Sequence, residues 1–232
     1  MYKGVIFDLD NTLYDYETIN ELAMNSLKEY SCSILKITEE QFKVAFKQAR
    51  ESTKINMADC AAQHNRIIYC QKTLEYLGRK PTSYALEMYE VYWGTMLDKM
   101  ELNKGVLEIF QKLKELEVKI AICTDLTAHI QHRKIRKLGL QDYIDVLVTS
   151  EEAGCEKPNS NIFKLCLEKM NMNPDEVLYV GDSFSKDIVG ANSVGIKPIW
   201  FNPSGEKQEL FKNGIMQIGS FEQLLIWELL NE

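Results

Sequence analysis

Two aspartates near the start of the chain, Asp8 and Asp10, have types and spacing that could do chemistry. They follow a β-branched and aromatic run at residues 5–7 and precede Asn11 and Thr12, which favour turns. The pattern predicts a buried strand that delivers two carboxylates at its C-terminal end, where open α/β sheets bind ligands. Two acids this close repel each other unless a cation intervenes, and a hard divalent ion such as Mg²⁺ would relieve the repulsion. The alternative is that the aspartates only end the strand.

Length and composition bound the class of protein. The chain has 232 residues, is 45% hydrophobic and 26% charged, and carries a formal net charge of -7. These values are typical of a globular protein, and the acidic balance argues against general binding to nucleic acid or to a membrane. The absence of a bilayer-length apolar run and of a signal-peptide pattern favours a cytoplasmic location. The 6 cysteines form no C-x-x-C pair, so we expect reduced thiols.

The span from residue 15 to residue 100 has a helical pattern. Apolar residues recur there at helical spacing, and Thr38 and Gln41 form a capping-box pattern. No convincing strand interrupts the span. We therefore predict an all-helical domain of about four helices at residues 15–100, inserted after the first strand.

Helices and strands alternate from Lys104 onwards. Five further strands are predicted, at residues 118–123, 144–149, 177–180, 199–201 and 215–218, before a closing helix from Phe221 to Glu228. Strands that alternate with helices indicate right-handed crossovers and a parallel sheet. The predicted fold class is an α/β, doubly wound, Rossmann-like core at residues 1–14 and 101–232.

Polar residues follow several of these predicted strands. Thr124 and Asp125 end the second strand, Lys157 lies in the loop after the third, and Asp182 and Asp187 follow the fourth. Because the carboxyl ends of parallel strands meet at one edge of a sheet, we expect these side chains to gather beside the first two aspartates. Together they supply a nucleophile, an acid/base, a metal site, a hydroxyl and a cation. This is the inventory for phosphoryl transfer through an aspartyl phosphate.

The order of the motifs resembles the haloacid dehalogenase-like (HAD) superfamily, and within it the phosphatases with a helical cap inserted after the first motif. The matching motifs are Asp8-x-Asp10-x-Thr12, Thr124, Lys157-Pro158 and Gly181-Asp182-Ser183-x-x-x-Asp187. The resemblance covers core and cap, although the cap is matched by position and helicity alone. It implies a Mg²⁺-dependent phosphomonoester hydrolase, monomeric or homodimeric, that acts on a small phosphorylated metabolite.

The resemblance also implies a role for each matched residue. Asp8 would attack phosphorus, and Asp10 would protonate the leaving oxygen and then activate water. The Asp8 carboxylate, the Asp10 main-chain carbonyl and Asp182 would bind Mg²⁺. The resemblance also implies three residues that orient the metal ligands without binding the metal: Thr12, Ser183 and Asp187. Asp187 would orient Lys157 or a metal-bound water.

Phosphate contacts are implied for three more residues. Thr124 and the backbone N–H of Asp125 would hold phosphate oxygens, and Lys157 would neutralise charge in the transition state. Asp125 departs from the pattern, because similar proteins usually have Asn or another neutral residue at this position. A third carboxylate should repel phosphate unless its side chain turns away.

Two other functions use the same residues. Asp10 favours a phosphate ester over a haloacid, because dehalogenases of this fold lack an acid at that position. A phosphosugar mutase would use the same core residues. A phosphate-binding regulatory protein with weak turnover is the third reading, although such a protein would be expected to have lost one of the acids or Lys157.

Several further residues are set aside. His129 and His132 are three apart on a predicted helix without a third metal ligand, so we expect a solvated basic face there. The same face would carry Arg133, Lys134, Arg136 and Lys137. In the helical insertion, four residues could meet a polar substrate but are each expected at the surface: Arg50, Lys54, His64 and Arg66. An aromatic row there is expected to pack between helices: Tyr84, Tyr89, Tyr92 and Trp93.

Overall fold

The structure is a computed structural model that describes residues 2–58, 60–205 and 215–226. The chain divides into two compact units, one of residues 1–15 and 101–232 and one of residues 16–100. In the described residues, no helix is long and apolar enough to span a membrane. All six cysteines are free thiols, and four of them are buried.

The first unit is built on a six-stranded sheet in the order β3-β2-β1-β4-β5-β6, in which every neighbouring pair is parallel. The strands are β1 Gly4–Phe7, β2 Lys119–Thr124, β3 Val146–Thr149, β4 Val177–Gly181, β5 Lys197–Phe201 and β6 Met216–Ile218. The predicted parallel α/β core is confirmed. The predicted Glu228 of the closing helix lies outside the described residues.

The central strand β1 sets the position of the polar edge. It is buried along its whole length, as its β-branched and aromatic residues favour. Phe7 is in register with Ile122 of β2 and with Val180 of β4. The residues that follow these three strands are therefore neighbours at one edge of the sheet.

Helices connect the strands of this unit. They are α5 Val106–Glu115, α6 Ala128–Lys137, α7 Ser150–Ala153, α8 Ser160–Met170, α9 Val189–Ser193 and α10 Phe221–Ile226. The short α7 lies where the sequence indicates only a loop, and Thr149 caps its start. A π-helical turn, Phe184–Ile188, precedes α9. This turn carries Asp187 back toward the end of β4.

The second unit is all-helical over its described residues. Its helices are α1 Tyr16–Leu35, α2 Glu39–Asn56, α3 Arg66–Tyr76 and α4 Ala85–Lys99, with short 3₁₀ turns at Ala61–His64 and Pro81–Ser83. Thr38 and Gln41 make the predicted capping box at the start of α2. Of the aromatic row, Tyr92 and Trp93 are buried, whereas Tyr84 is exposed.

Candidate active site

The loop after β1 places Asp8 and Thr12 inside the first unit. Asn11 has a positive φ of 64°, a conformation that Asn tolerates better than most residues, and the tight turn brings Thr12 back over Asp8. The Thr12 hydroxyl lies 3.1 Å from Oδ2 of Asp8 and 3.2 Å from Oδ1 of Asp182, and it accepts a hydrogen bond from the Asp182 N–H. Thr12 thus joins the ends of β1 and β4.

Lys157 is the buried cation of this edge. Its Nζ binds Oδ1 of Asp8 and lies 2.7 Å from Oδ1 of Asp187. The Tyr179 hydroxyl also donates to Oδ1 of Asp187, and the Ser183 N–H donates to Oδ2. These three contacts of Asp187 fix it behind Lys157.

Gly181 leaves the space that Asp187 fills. A Cβ on Gly181 would lie 2.5 Å from the Cγ of Asp187, which is closer than non-bonded carbon atoms approach. Only glycine therefore allows the carboxylate to pack against the end of β4. This packing explains why the matched motif has a glycine directly before Asp182.

The acids at this edge repel one another. Burial raises the pKa of Asp8 well above its ordinary value, against the attraction of Lys157, and the neighbouring aspartates add to the rise. Burial and the charge of Asp187 raise the pKa of Asp182 to about 6. Burial lowers the pKa of Lys157, but Asp187 and Asp8 together raise it well above its ordinary value. The cluster lacks positive charge, and a cation would relieve it.

The donor set fits a divalent cation. Asp8, Asp182 and Asp187 each offer a carboxylate oxygen, and the three oxygens lie within 4.8 Å of one another. Both oxygens of Asp187 already have partners in the chain, which leaves Asp8 and Asp182 as the carboxylates best suited to bind a metal directly. Carboxylate oxygens are the ligands that Mg²⁺ prefers.

Asp125 turns away from the acidic cluster. Its Oδ1 accepts a hydrogen bond from the Lys157 N–H at 3.0 Å, and its Oδ2 lies 2.8 Å from Nζ of Lys186. Lys186 also lies 3.6 Å from Glu156. The repulsion expected from a third carboxylate is therefore offset by Lys186, and Asp125 holds the loop that carries Lys157.

Lys134 contradicts the expected solvated basic face of α6. Its side chain is completely buried, and its Nζ lies 2.7 and 2.8 Å from the two carboxylate oxygens of Asp10. The ion pair offsets the cost of burying the ammonium group. His129 and His132 on the same helix are exposed.

The turn of α6 before Lys134 holds Thr124. The buried Gln131 donates from Nε2 to Oγ1 of Thr124 at 2.8 Å and to the carbonyl oxygen of Asp125 at 2.6 Å. Gln131 and Lys134 share the helix face of the buried Ile130 and Ile135. This periodicity is the signal that could have placed both polar residues inside.

Arg66 of the helical unit, expected at the surface, is half-buried. Its guanidinium donates to the carbonyl oxygen of His64 and the hydroxyl of Tyr16, and it lies over the rings of Tyr69 and Tyr92 at 5.5 and 5.4 Å. The cation–π contacts with these rings offset the hydration that the guanidinium loses on partial burial. Arg66 lines a cavity of about 710 Å³ within this unit. The charged residues around the cavity are Glu17, Lys43, Lys47, Arg50, Glu51, Lys54 and Arg66.

Comparison with known proteins identifies the family. The model of the haloacid dehalogenase-like hydrolases matches residues 5–201. The chain belongs to this family. It is 38% identical over 208 residues to ribulose-1,5-bisphosphate 5-phosphatase of Halopiger xanaduensis, covering 89% of this chain and 87% of that protein. It is 28% identical over 219 residues to glyceraldehyde 3-phosphate phosphatase of Methanothermobacter thermautotrophicus, covering 93% of each.

The fold is likewise that of a HAD hydrolase. YfnB of Bacillus subtilis, a HAD-hydrolase whose structure is bound to magnesium, matches with a TM-score of 0.70 and 21% identity over 100% of this chain and 99% of that one. The resemblance drawn from the motifs is confirmed. Since its named relatives are phosphatases, the chain is a phosphatase of the HAD family.

Proposed function

We propose that this HAD phosphatase hydrolyses a small sugar phosphate through an aspartyl phosphate on Asp8, with Mg²⁺ bound by Asp8, Asp182 and the Asp10 main-chain carbonyl. The observation that carries the proposal is the buried Asp8 between Lys157 and the other acids. A carboxylate that is ion-paired on one side and faces a cation-deficient cluster on the other suits a metal-assisted nucleophile.

The proposed reaction has two balanced steps. In the first, an oxygen of Asp8 attacks phosphorus, the phosphorus–oxygen bond to the sugar breaks, and Asp10 gives its proton to the leaving oxygen. In the second, Asp10 takes a proton from water, the water oxygen attacks phosphorus, and the bond to Asp8 breaks to release phosphate. One carboxylate thus acts first as acid and then as base.

The other residues hold phosphate and charge in this proposal. Thr124 and the N–H of Asp125 bind phosphate oxygens, while Lys157 stabilises the negative charge of the transition state. Asp187 keeps Lys157 in place, which its contact of 2.7 Å supports. Bound Mg²⁺ would supply charge neutralisation between the anionic nucleophile and the anionic phosphate.

The substrate class rests on the relatives and on the helical unit. The names of the two relatives give ribulose-1,5-bisphosphate as the substrate of one and glyceraldehyde 3-phosphate as the substrate of the other. The cavity of the helical unit is lined by five cationic side chains and two carboxylates, a balance that favours an anion. We propose that this unit is the substrate-selecting cap, since it is inserted directly after the strand that carries Asp8.

The test is phosphate release from a panel of sugar phosphates, nucleotides and small phosphorylated acids, with Mg²⁺ or with chelator. We expect Mg²⁺-dependent release from sugar phosphates and a loss of at least about 10⁴-fold in kcat for Asp8→Asn. The exposed Asp142→Asn is the matched control and should retain full activity. Turnover by Asp8→Asn within tenfold of the parent would overturn the nucleophile assignment. Phosphate moved within the sugar instead of released would favour a mutase.

A further inference from the structure

Asp10 is held by side chains that the sequence motifs do not include, Lys134 and Tyr14 among them. Nζ of Lys134 lies 2.7 Å from its Oδ1 and 2.8 Å from its Oδ2, and the hydroxyl of Tyr14 donates to Oδ1. Lys134 also lies over the Tyr14 ring, at 5.9 Å from its centroid. Both carboxylate oxygens of Asp10 thus have a fixed donor within the same compact unit.

The local chain explains this grouping. Asp10 and Tyr14 face each other across the turn after β1, where their backbones form an isolated bridge. Lys134 arrives on α6, which starts just beyond the end of β2 and runs beside the turn. Lys134 and Tyr14 are both completely buried, although lysine is rarely buried unless paired. Asp10 is the carboxylate that pairs with the buried Lys134 at this position.

We propose that Lys134, together with Tyr14, is a positioning residue that holds the Asp10 carboxylate in the orientation needed to take a proton from water in the second step. This inference rests on the proposed function, in which Asp10 is the acid and base. A carboxylate held at both oxygens has lost the rotations that would turn it away from the attacking water, and the entropic cost of this loss is already met in the folded protein. Lys134 and Tyr14 do not touch phosphorus.

A purely structural role for Lys134 makes a different prediction. If the ion pair only stabilised the fold, its loss would lower the free energy of unfolding and the amount of folded protein, but it would leave kcat per folded enzyme unchanged. If Lys134 acts through Asp10, its loss has no further effect once Asp10 is disabled. Two residues that act as one unit are strongly non-additive in this way.

The experiment is a double-mutant cycle with Lys134→Met and Asp10→Asn, measured as kcat on a sugar phosphate turned over by the parent. Proton transfer by a positioned side chain contributes about 10² to 10⁴ in rate, so Asp10→Asn should lose that factor and Lys134→Met at least about tenfold. In the Asp10→Asn background, Lys134→Met should lose less than about threefold. Lys137→Met, on an exposed position of the same helix, is the matched control.

An aryl phosphate separates the two steps. Its weakly basic leaving group needs little protonation, so the first step should be nearly normal in Lys134→Met, while the second still needs Asp10 as base. We expect a burst of aryl alcohol equal to the enzyme concentration, followed by slowed turnover. Tyr14→Phe, which keeps the ring and removes one donor, should show a smaller effect of the same kind and serves if Lys134→Met does not fold.

The outcomes distinguish this inference from the proposed function. Equal loss from Lys134→Met in both backgrounds, or full activity with no burst, would overturn the positioning role while an active parent and an inactive Asp8→Asn leave the phosphatase mechanism standing. An inactive parent, or an active Asp8→Asn, would instead overturn the mechanism on which the inference rests.

Discussion

Asp182→Asn should stabilise the metal-free protein while it abolishes metal-dependent activity. The folded-state pKa of Asp182 is about 6, against an ordinary value of 3.8, because burial and Asp187 disfavour its charge. Between these values the folded state binds more protons than the unfolded state, so stability falls as pH rises through this window. The difference of roughly two pKa units corresponds to about 3 kcal/mol, fully lost above pH 6. Asparagine is neutral and should recover most of it.

The assay is urea unfolding in chelator at pH 7.5 and at pH 4. At pH 7.5, a gain of about 3 kcal/mol corresponds to a midpoint shift of about 1 M urea if the slope is about 3 kcal/mol per molar. At pH 4, Asp182 is largely protonated in the folded parent, and the gain should fall below about 1 kcal/mol. The oxygen that accepts from Thr12 is retained in asparagine.

Magnesium should reverse the order of stability. At a thousand times its dissociation constant, a ligand that binds only the folded state stabilises it by about 4.1 kcal/mol, which exceeds the variant's advantage of about 3 kcal/mol. We expect this gain for the parent and little of it for Asp182→Asn. The exposed Asp142→Asn should match the parent in both conditions. A variant no more stable than the parent in chelator at pH 7.5, or equally stabilised at pH 4, would refute the reasoning.

Three further substitutions test contacts at the same edge. Lys157→Met should cost about 3–5 kcal/mol in urea unfolding, because it leaves buried carboxylates without a cation; a loss below 1 kcal/mol would contradict the pairing. Gly181→Ala should displace Asp187 and lower kcat at least tenfold, whereas Gly94→Ala, in open space on α4, should stabilise by about 0.5–1 kcal/mol. Asp125→Asn should change stability by less than about 1 kcal/mol, because its partner lysine is 40% exposed; a larger loss would show that the ion pair holds the loop.

The sequence predicts the polar edge well because strand ends are local features. Val5, Ile6 and Phe7 specify a buried strand, so Asp8 follows it at a known edge, and Asp182 follows β4 in the same way. Parallel order then brings the two acids together without further information. The roles of these residues stay predictions, whereas the family and the fold are confirmed.

The partners of the acids are harder to predict because they depend on contacts between distant segments. Lys134 lies on a helix rich in basic residues, and the usual cost of burying a lysine favours the surface. Its partner is 124 residues away, so no local pattern shows that the cost is offset. The sequence likewise predicts that Asp125 repels phosphate, because the pairing of Asp125 with Lys186 forms only in the folded chain.

Two buried lysines reduce the electrostatic repulsion between the closely spaced Asp8 and Asp10. Asp8 shares Lys157 with Asp187, and its pKa is raised because burial and neighbouring acids outweigh that shared cation. Burial also raises the pKa of Asp10, but Lys134 pairs with both its oxygens and brings the pKa below its ordinary value. In the proposed mechanism, the lowered pKa of Asp10 suits its role as base in the second step, whereas bound Mg²⁺ would have to lower the pKa of Asp8 for its role as nucleophile. Asp8 is therefore the acid that still needs a cation, while Asp10 already has one from the chain.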